Sequence, residues 1–242
     1  MKQSTLKLLV WLYHHPQPLA VKRQLPKIMT ALKPSGLKSL LFTAKRNFLI
    51  NQEWIDGVET VLLSSHGVEA VESLFPSLTQ KDGTDSHEQL LVFLSAPSRD
   101  QGFRYLRSQL NKHKAICLTR GVFYFPYEMP LELNVLLKQL YVGSAIVWEI
   151  GQWKFGDKHS VIGQKTDAAS MNSLYSGIST ELDRLIEKIE SNKIAKDQTN
   201  TEISSLFDRF FGVLQTDNSH STASIREARS GKDILLRLQN LL

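Results

Sequence analysis

Asp56-Gly57 stands between β-forming residues, with Trp54-Ile55 before it and Val58 to Leu63 after it. Asp-Gly in such a setting is the strongest short signal for a tight β-hairpin. Three helical stretches precede it. Ser4 to His14 places Leu6, Leu9, Val10 and Tyr13 on one face. Ser4 or Thr5 can cap its start, and Pro16 stops it because the residue before proline avoids the α region. Leu19 to Leu32 carries Leu25, Ile28, Met29 and Leu32 on one side. Pro26 lacks an N–H, so this helix begins near Leu25 or bends there. After the turn at Lys33-Pro34, Ser35 is a suitable N-cap for a third helix reaching Ile50. Its apolar face is Leu37, Leu40, Leu41, Ala44 and Phe48, and its other face is Lys38, Ser39, Phe42, Lys45 and Arg46, with Thr43 at the edge. Three helices and a hairpin, closed by a short helix from Gly67 to Phe75, predict a winged helix-turn-helix over residues 1–76.

Charge gives that module a task. The first 52 residues contain no Asp or Glu but nine Lys or Arg. The whole chain has 29 basic and 24 acidic side chains, so the net charge of +5 arises in this block. A one-sign block attracts a polyanion. The expected division is Lys38, Ser39, Phe42, Thr43 and Arg46 reading base edges in a major groove of double-stranded DNA, with Lys22, Arg23, Lys27 and Lys45 gripping phosphates. Phe42 has two readings: it packs against the first helix or a dimer partner, or it touches thymine methyls and sugars. The hairpin carries Glu53, Asp56 and Glu59. It should repel phosphate, leaving the third helix to carry the contact.

Residues 77–87 are polar and mark a boundary. From 88 to 162 the pattern is β-α-β-β-α-β: Leu90–Leu94, a helix from Ser98 to Lys112, Ala115–Leu118, Val122–Phe125, a helix from Pro130 to Leu140, and Ala145–Ile150. That order suits a ferredoxin-like domain, read here as the dimerisation module. Residues 166–242 read as a helical C-terminal domain. Its first helix carries the stripe Leu174, Ile178, Leu182, Leu185 and Ile189. After a polar linker over 192–200, its second has the wide face Ile203, Leu206, Phe207, Phe210, Phe211 and Leu214, better suited to a core or interface than to a pocket. A loop over 216–222 leads to a last helix from Ile225 to Leu242, interrupted near Ser230-Gly231. The fold class expected is α+β.

The lone Cys117 excludes a disulfide framework and a cysteine zinc site, and is expected as a small core residue in a strand. Nothing approaches the roughly 20 apolar residues of a membrane span, and no cleavage site follows the apolar run near the start. A cytoplasmic protein without membrane association is expected. No dinucleotide-binding, P-loop or nucleophile-elbow motif occurs, so no cofactor is expected. His14 and His15 are adjacent and would diverge on a helix. His66, His87, His113, His159 and His220 are scattered and expected mostly at the surface, while Trp148 and Trp153 are expected to pack.

The order of parts resembles the PaaX family of bacterial transcriptional regulators. Gly36-Leu37-Lys38-Ser39-Leu40-Leu41-Phe42-Thr43-Ala44 is similar to the family's recognition helix. Leu91 to Pro97 and Gly121 to Tyr127 resemble strands of its central domain, and Leu206 to Phe211, with Asp217 and Gly231, resembles a degraded form of its C-terminal segment. The resemblance spans nearly the whole chain and implies a winged helix, a ferredoxin-like domain and a helical domain, acting as a homodimer. Phe42-Thr43 replaces a Ser-Arg pair, so the base sequence read should differ. The usual proline-tryptophan motif before Gly231 is missing. The family's acyl-CoA effectors are therefore not carried over, and any small-molecule effector has an unknown identity.

The central domain also resembles the small ferredoxin-like nuclease of CRISPR adaptation, which places a metal-binding Asp at the end of its first strand. Ser95 stands there, and a hydroxyl is a poor sole anchor for Mg²⁺. Asp100 is explained by the helix dipole at a helix start. The expectation is therefore a non-enzyme: a DNA-binding regulator, more a repressor than an activator, on an inverted repeat. The alternatives are a dimeric scaffold whose basic arm binds an acidic protein or RNA, and, less favoured, a metal-dependent nuclease.

Overall fold

The Asp56-Gly57 hairpin forms as its sequence demands. In the computed structural model of the chain, Ile55 pairs with Val58, so the loop is two residues long. Asp56 and Gly57 take φ of 50° and 74°, the paired positive values that match a tight turn to the twist of its strands. Placement is described for residues 1–15, 17–78, 88–94, 101–126, 128–165, 168–192, 194–217 and 231–241.

In chain order the elements are α1 (Gln3–Leu12), β1 (Leu19–Ala20), α2 (Leu25–Ile28), α3 (Pro34–Arg46), β2 (Ile50–Ile55), β3 (Val58–Leu63) and α4 (Ser65–Leu74). They continue with β4 (Gln89–Phe93), α5 (Gln101–Lys112), β5 (Ile116–Thr119), β6 (Val122–Phe125), α6 (Leu131–Leu140) and β7 (Ala145–Glu149). The chain closes with α7 (Lys158–Gly163), α8 (Ala168–Glu190), α9 (Lys196–Thr216) and α10 (Gly231–Gln239). Helices and two small antiparallel sheets make this an α+β chain. It divides into two compact units, the first of residues 1–72, 172–216 and 227–242, the second of 73–171 and 217–226. The sequence reading drew its limits at 1–76, 88–162 and 166–242. The C-terminal helices instead belong to the same unit as the N-terminal helices and hairpin.

In the first unit, residues 8 to 13 of and after α1 are all buried, not only one face. The reason is α9. Phe207 meets the Trp11 ring edge-on with centroids 4.6 Å apart, and the Lys7 ammonium pairs with Asp208 while lying 5.6 Å from the Phe207 ring centre. Gln3 donates to Gln215 at 3.1 Å. The α9 face Ile203, Leu206, Phe207, Phe210, Phe211 and Leu214 is buried throughout, which makes it core. On α8, Ile178, Leu182 and Leu185 are buried, but Tyr175 takes the place expected for Leu174, which is exposed. α9 begins at Lys196, inside the stretch read as a linker.

Between α1 and α3 the structure takes the first of the two expected alternatives, a helix that begins at Leu25, though it ends at Ile28 rather than near Leu32. Leu19 and Ala20 pair with Val61 and Thr60, adding a third strand in the order β1-β3-β2. The helix starts only at Leu25, with Pro26 in its first turn where a missing N–H costs nothing. α2 sits on α9: Ser204 donates to the Ile28 carbonyl at 3.2 Å, and its hydroxyl lies 3.0 Å from that of Thr30. For α3 the cap is Lys33 rather than Ser35, since Pro34 already occupies the first turn.

In the second unit, β4, α5, β5, β6, α6 and β7 follow the expected order. Their sheet runs β5-β6-β4-β7, so the first strand lies between the third and the fourth. Alternation splits its side chains. Leu91, Phe93, Phe123 and Phe125 face a core completed by Phe103, Leu106 and Leu110 of α5 and Leu133 and Leu137 of α6. Phe93 meets the rings of Phe103 and Tyr141 edge-on at 5.1 and 5.6 Å. Cys117 packs beside this core. The opposite face buries Tyr124 and Ile116 with Ile162 of α7, a helix the sequence reading did not anticipate, and Trp153 packs there. Trp148, expected to pack, shares the Tyr124 face but is exposed on the edge strand β7. The polar boundary from residue 79 to 87, the segment 95–100 with Ser95, Asp100 and the start of the Ser98–Lys112 helix, Tyr127, and 218–230 with Ser230 and the start of the last helix lie outside the described residues, as do His87 and His220.

Candidate functional site

α3 is amphipathic in the strict sense. Leu37, Leu40, Leu41 and Ala44 are buried, while Lys38, Ser39, Phe42, Lys45 and Arg46 are exposed and Thr43 is half-buried. Lys38, Phe42 and Lys45 follow one another at helical spacing, with Ser39, Thr43 and Arg46 in the next row. The structure thus brings all five expected base-reading residues onto one exposed surface. Thr43 is partly committed: its hydroxyl donates to the Ser39 carbonyl at 2.9 Å, leaving only its oxygen lone pairs and methyl to face outward. Phe42 is 66% exposed, so it does not pack against α1.

Lys22 and Arg23 are exposed in the turn before α2, and Lys27 is half-buried in α2 itself. Among the described residues, no carboxylate lies within ion-pair range of Lys22, Arg23, Lys27, Lys38, Lys45 or Arg46. Lys7 is different. It is buried against Asp208 and drops out of the basic surface. Glu53 and Asp56 of the hairpin are exposed, and Glu59 is half-buried and accepts from Gln52 at 3.4 Å.

One residue at this surface escaped the sequence reading. The helical spacing predicts Phe48 on the buried face of the third helix, but α3 ends at Arg46. Phe48 follows the cap Asn47 with φ of 56° and is 78% exposed. Its N–H reaches the Lys45 carbonyl at 2.9 Å, and the Leu49 N–H reaches Ala44 at 3.0 Å, the paired bonds that close a helix through a left-handed residue. Glycine normally fills that place. The sequence signal was faint: helical spacing continues through Phe48, and only Asn47 hinted at an end. Between Phe48, β2 and the start of α4 runs a groove of about 560 Å³, lined by Lys45, Phe48, Asn51, Glu53, Ser65 and His66 among others.

The second unit offers less for chemistry. His113, expected at the surface, is buried. The Ser73 hydroxyl lies 2.6 Å from its Nδ1 and Glu132 lies 3.8 Å from its Nε2. Burial, reinforced by the nearby Lys112, lowers its pKa. Glu88 accepts from Trp153 at 3.3 Å, and burial beside this carboxylate raises the Tyr124 pKa. No group of three His, Cys, Asp or Glu among the described residues could hold a metal ion. No described helix is long and apolar enough to cross a membrane. Neither a family model nor a curated protein sequence matches the chain.

Proposed function

We propose that the chain is a sequence-specific DNA-binding transcriptional regulator, a repressor that binds an inverted repeat as a homodimer. One observation carries the reading: the exposed face of α3 presents Lys38, Lys45 and Arg46 without a carboxylate partner among the described residues, over a buried face that locks the helix to its unit. Three helices followed by the β2–β3 hairpin make a winged helix-turn-helix, in which α3 enters the major groove. Lys38, Ser39, Phe42, Thr43 and Arg46 meet base edges, and Lys22, Arg23, Lys27 and Lys45 hold phosphates. The strand order of the second unit supports a ferredoxin-like domain, and the sum of parts supports the resemblance to PaaX-like regulators.

The test is an electrophoretic shift with the DNA upstream of the protein's own gene. Specific binding that disappears in the double variant Lys38→Ala/Arg46→Ala, with folding intact, upholds the regulator. Equal binding to any duplex, or none, favours the non-catalytic scaffold. With about four phosphates neutralised per subunit, log K falls with log salt at a slope near −7 for the dimer.

A further inference from the structure

Phe48 is unfavourable twice over. A bulky residue with φ of 56° adopts a backbone that glycine takes freely, and the residue is 78% exposed. Neighbouring groups nevertheless hold it there. The Ser64 hydroxyl donates to the Phe48 carbonyl and accepts from the Gly67 N–H at 3.0 Å. The Ser64 N–H donates to the Leu49 carbonyl at 3.2 Å. Gly67 permits the fit, since a Cβ there would stand 2.0 Å from the Leu49 oxygen. A strained residue fixed by its surroundings and exposed at a groove is a pointer to function. Beside it runs an open groove of about 560 Å³. Its lining includes the aromatic Phe48 and the cationic Lys45, together with Asn51, Glu53 and Ser65, which carry hydrogen-bonding groups.

We infer that this groove takes one unpaired nucleotide of the bound DNA. The inference rests on the DNA-binding reading above. The base stacks on Phe48, as bases do on exposed aromatic side chains of strand-binding proteins. Lys45 holds the adjoining phosphate. Glu53, which a phosphate would avoid, accepts a hydrogen bond from an exocyclic amine, so an unpaired dC fits better than dT. A hydrogen-bonding edge, an aromatic plane and a cation together match a nucleotide better than they match a purely apolar partner.

The experiment measures fluorescence anisotropy of the full chain with three labelled probes: a perfect duplex, the same duplex with one extra dC, and the single strand. The variant is Phe48→Gly, which keeps the left-handed turn and so folds at least as well. The wild type should prefer the bulged duplex to the perfect one by about tenfold, a size that base–aromatic stacking carries. Phe48→Gly should erase that ratio, and replacing the extra dC by dT should reduce it. Duplex binding without a preference, or a preference that survives Phe48→Gly, overturns the inference and leaves the regulator standing. Single-strand binding without duplex binding, or no binding of any probe, overturns both, because the inference rests on a bound duplex. If Phe48→Gly changes the oligomeric state rather than the ratio, the groove belongs to a second copy of the chain and the inference fails.

Discussion

The side-chain amide nitrogen of Gln239 donates to the main-chain carbonyl of Tyr13 at 2.8 Å and to that of Trp11 at 2.6 Å. A residue near the far end of the sequence thus satisfies the last carbonyls of the first helix. Both partners are buried, so water cannot replace the amide. Gln239→Leu should cost about 2–6 kcal/mol, because two carbonyls lose their donor, each worth roughly 1–3 kcal/mol when stranded. Urea unfolding followed by circular dichroism measures it. A fragment of residues 1–76 should lack stable structure, since it lacks both Gln239 and the α9 face that covers Trp11.

The two faces of α3 should separate in mutagenesis. Phe42→Ala leaves stability within about 0.5 kcal/mol of wild type, as exposed positions do. If α3 reads DNA as proposed, it should weaken specific binding all the same. Leu41→Ala should cost about 2–5 kcal/mol by leaving a cavity. Thermal melts and shift assays on both variants check the pair. Phe42→Ala that unfolds the chain would show an apolar partner for this side chain.

Lys7 and Asp208 should respond unequally. Lys7 is buried while Asp208 is about half exposed. Asp208→Asn leaves a buried ammonium without its carboxylate and should cost more than Lys7→Met, which removes the charge and keeps the stem over Phe207. The expected gap is on the order of 1–2 kcal/mol, read from unfolding midpoints. Equal costs would mean that the pair is effectively solvated.

Acid should weaken the second unit through His113. Burial holds the folded imidazole neutral with its pKa below the ordinary value, whereas the unfolded one titrates near the ordinary 6.5. Below that pH the unfolded state binds the extra proton, so this contribution is present above about pH 6.5 and is lost as pH falls. The groups around the ring are Ser73, Lys112 and Glu132. His14 and His15 are lowered in the same direction by burial. Unfolding midpoints should fall from pH 7 to pH 5, and His113→Gln should flatten that slope.

Gly67→Ala should destabilise at the upper end of the roughly 1–3 kcal/mol typical of overpacking. The added carbon would stand 2.0 Å from the Leu49 oxygen, which is main chain and cannot swing aside. Gly212→Ala, with nothing within 4 Å of its added carbon, should be tolerated. Thermal melts of the two variants give the contrast.

What the sequence disclosed was local. The hairpin was legible because Asp56-Gly57 encodes its own geometry, and the α3 faces because 3.6-residue spacing sorts Leu37, Leu40 and Leu41 from Lys38 and Arg46. Long-range partners were not legible. Leu19-Ala20 reads as helix until Val61 is beside it, and a two-residue strand carries no period. Nothing in the pattern of α1 says that Trp11 meets Phe207 rather than solvent. His113 resembles any scattered histidine until Ser73 is placed against it. Phe48 misled because spacing continues past the point where the helix stops.

Tyr13 and Gln239 are 226 residues apart, so at roughly 5–20 residues per second the ribosome needs about 10–45 s to supply the donor after the acceptor. Through that interval Trp11 and the end of α1 wait without their cover, exposed to chaperones. The basic helix next to them gains its final support only after residue 239 has emerged. Messages cut short before that codon should therefore yield products in which the end of α1 lacks its donor.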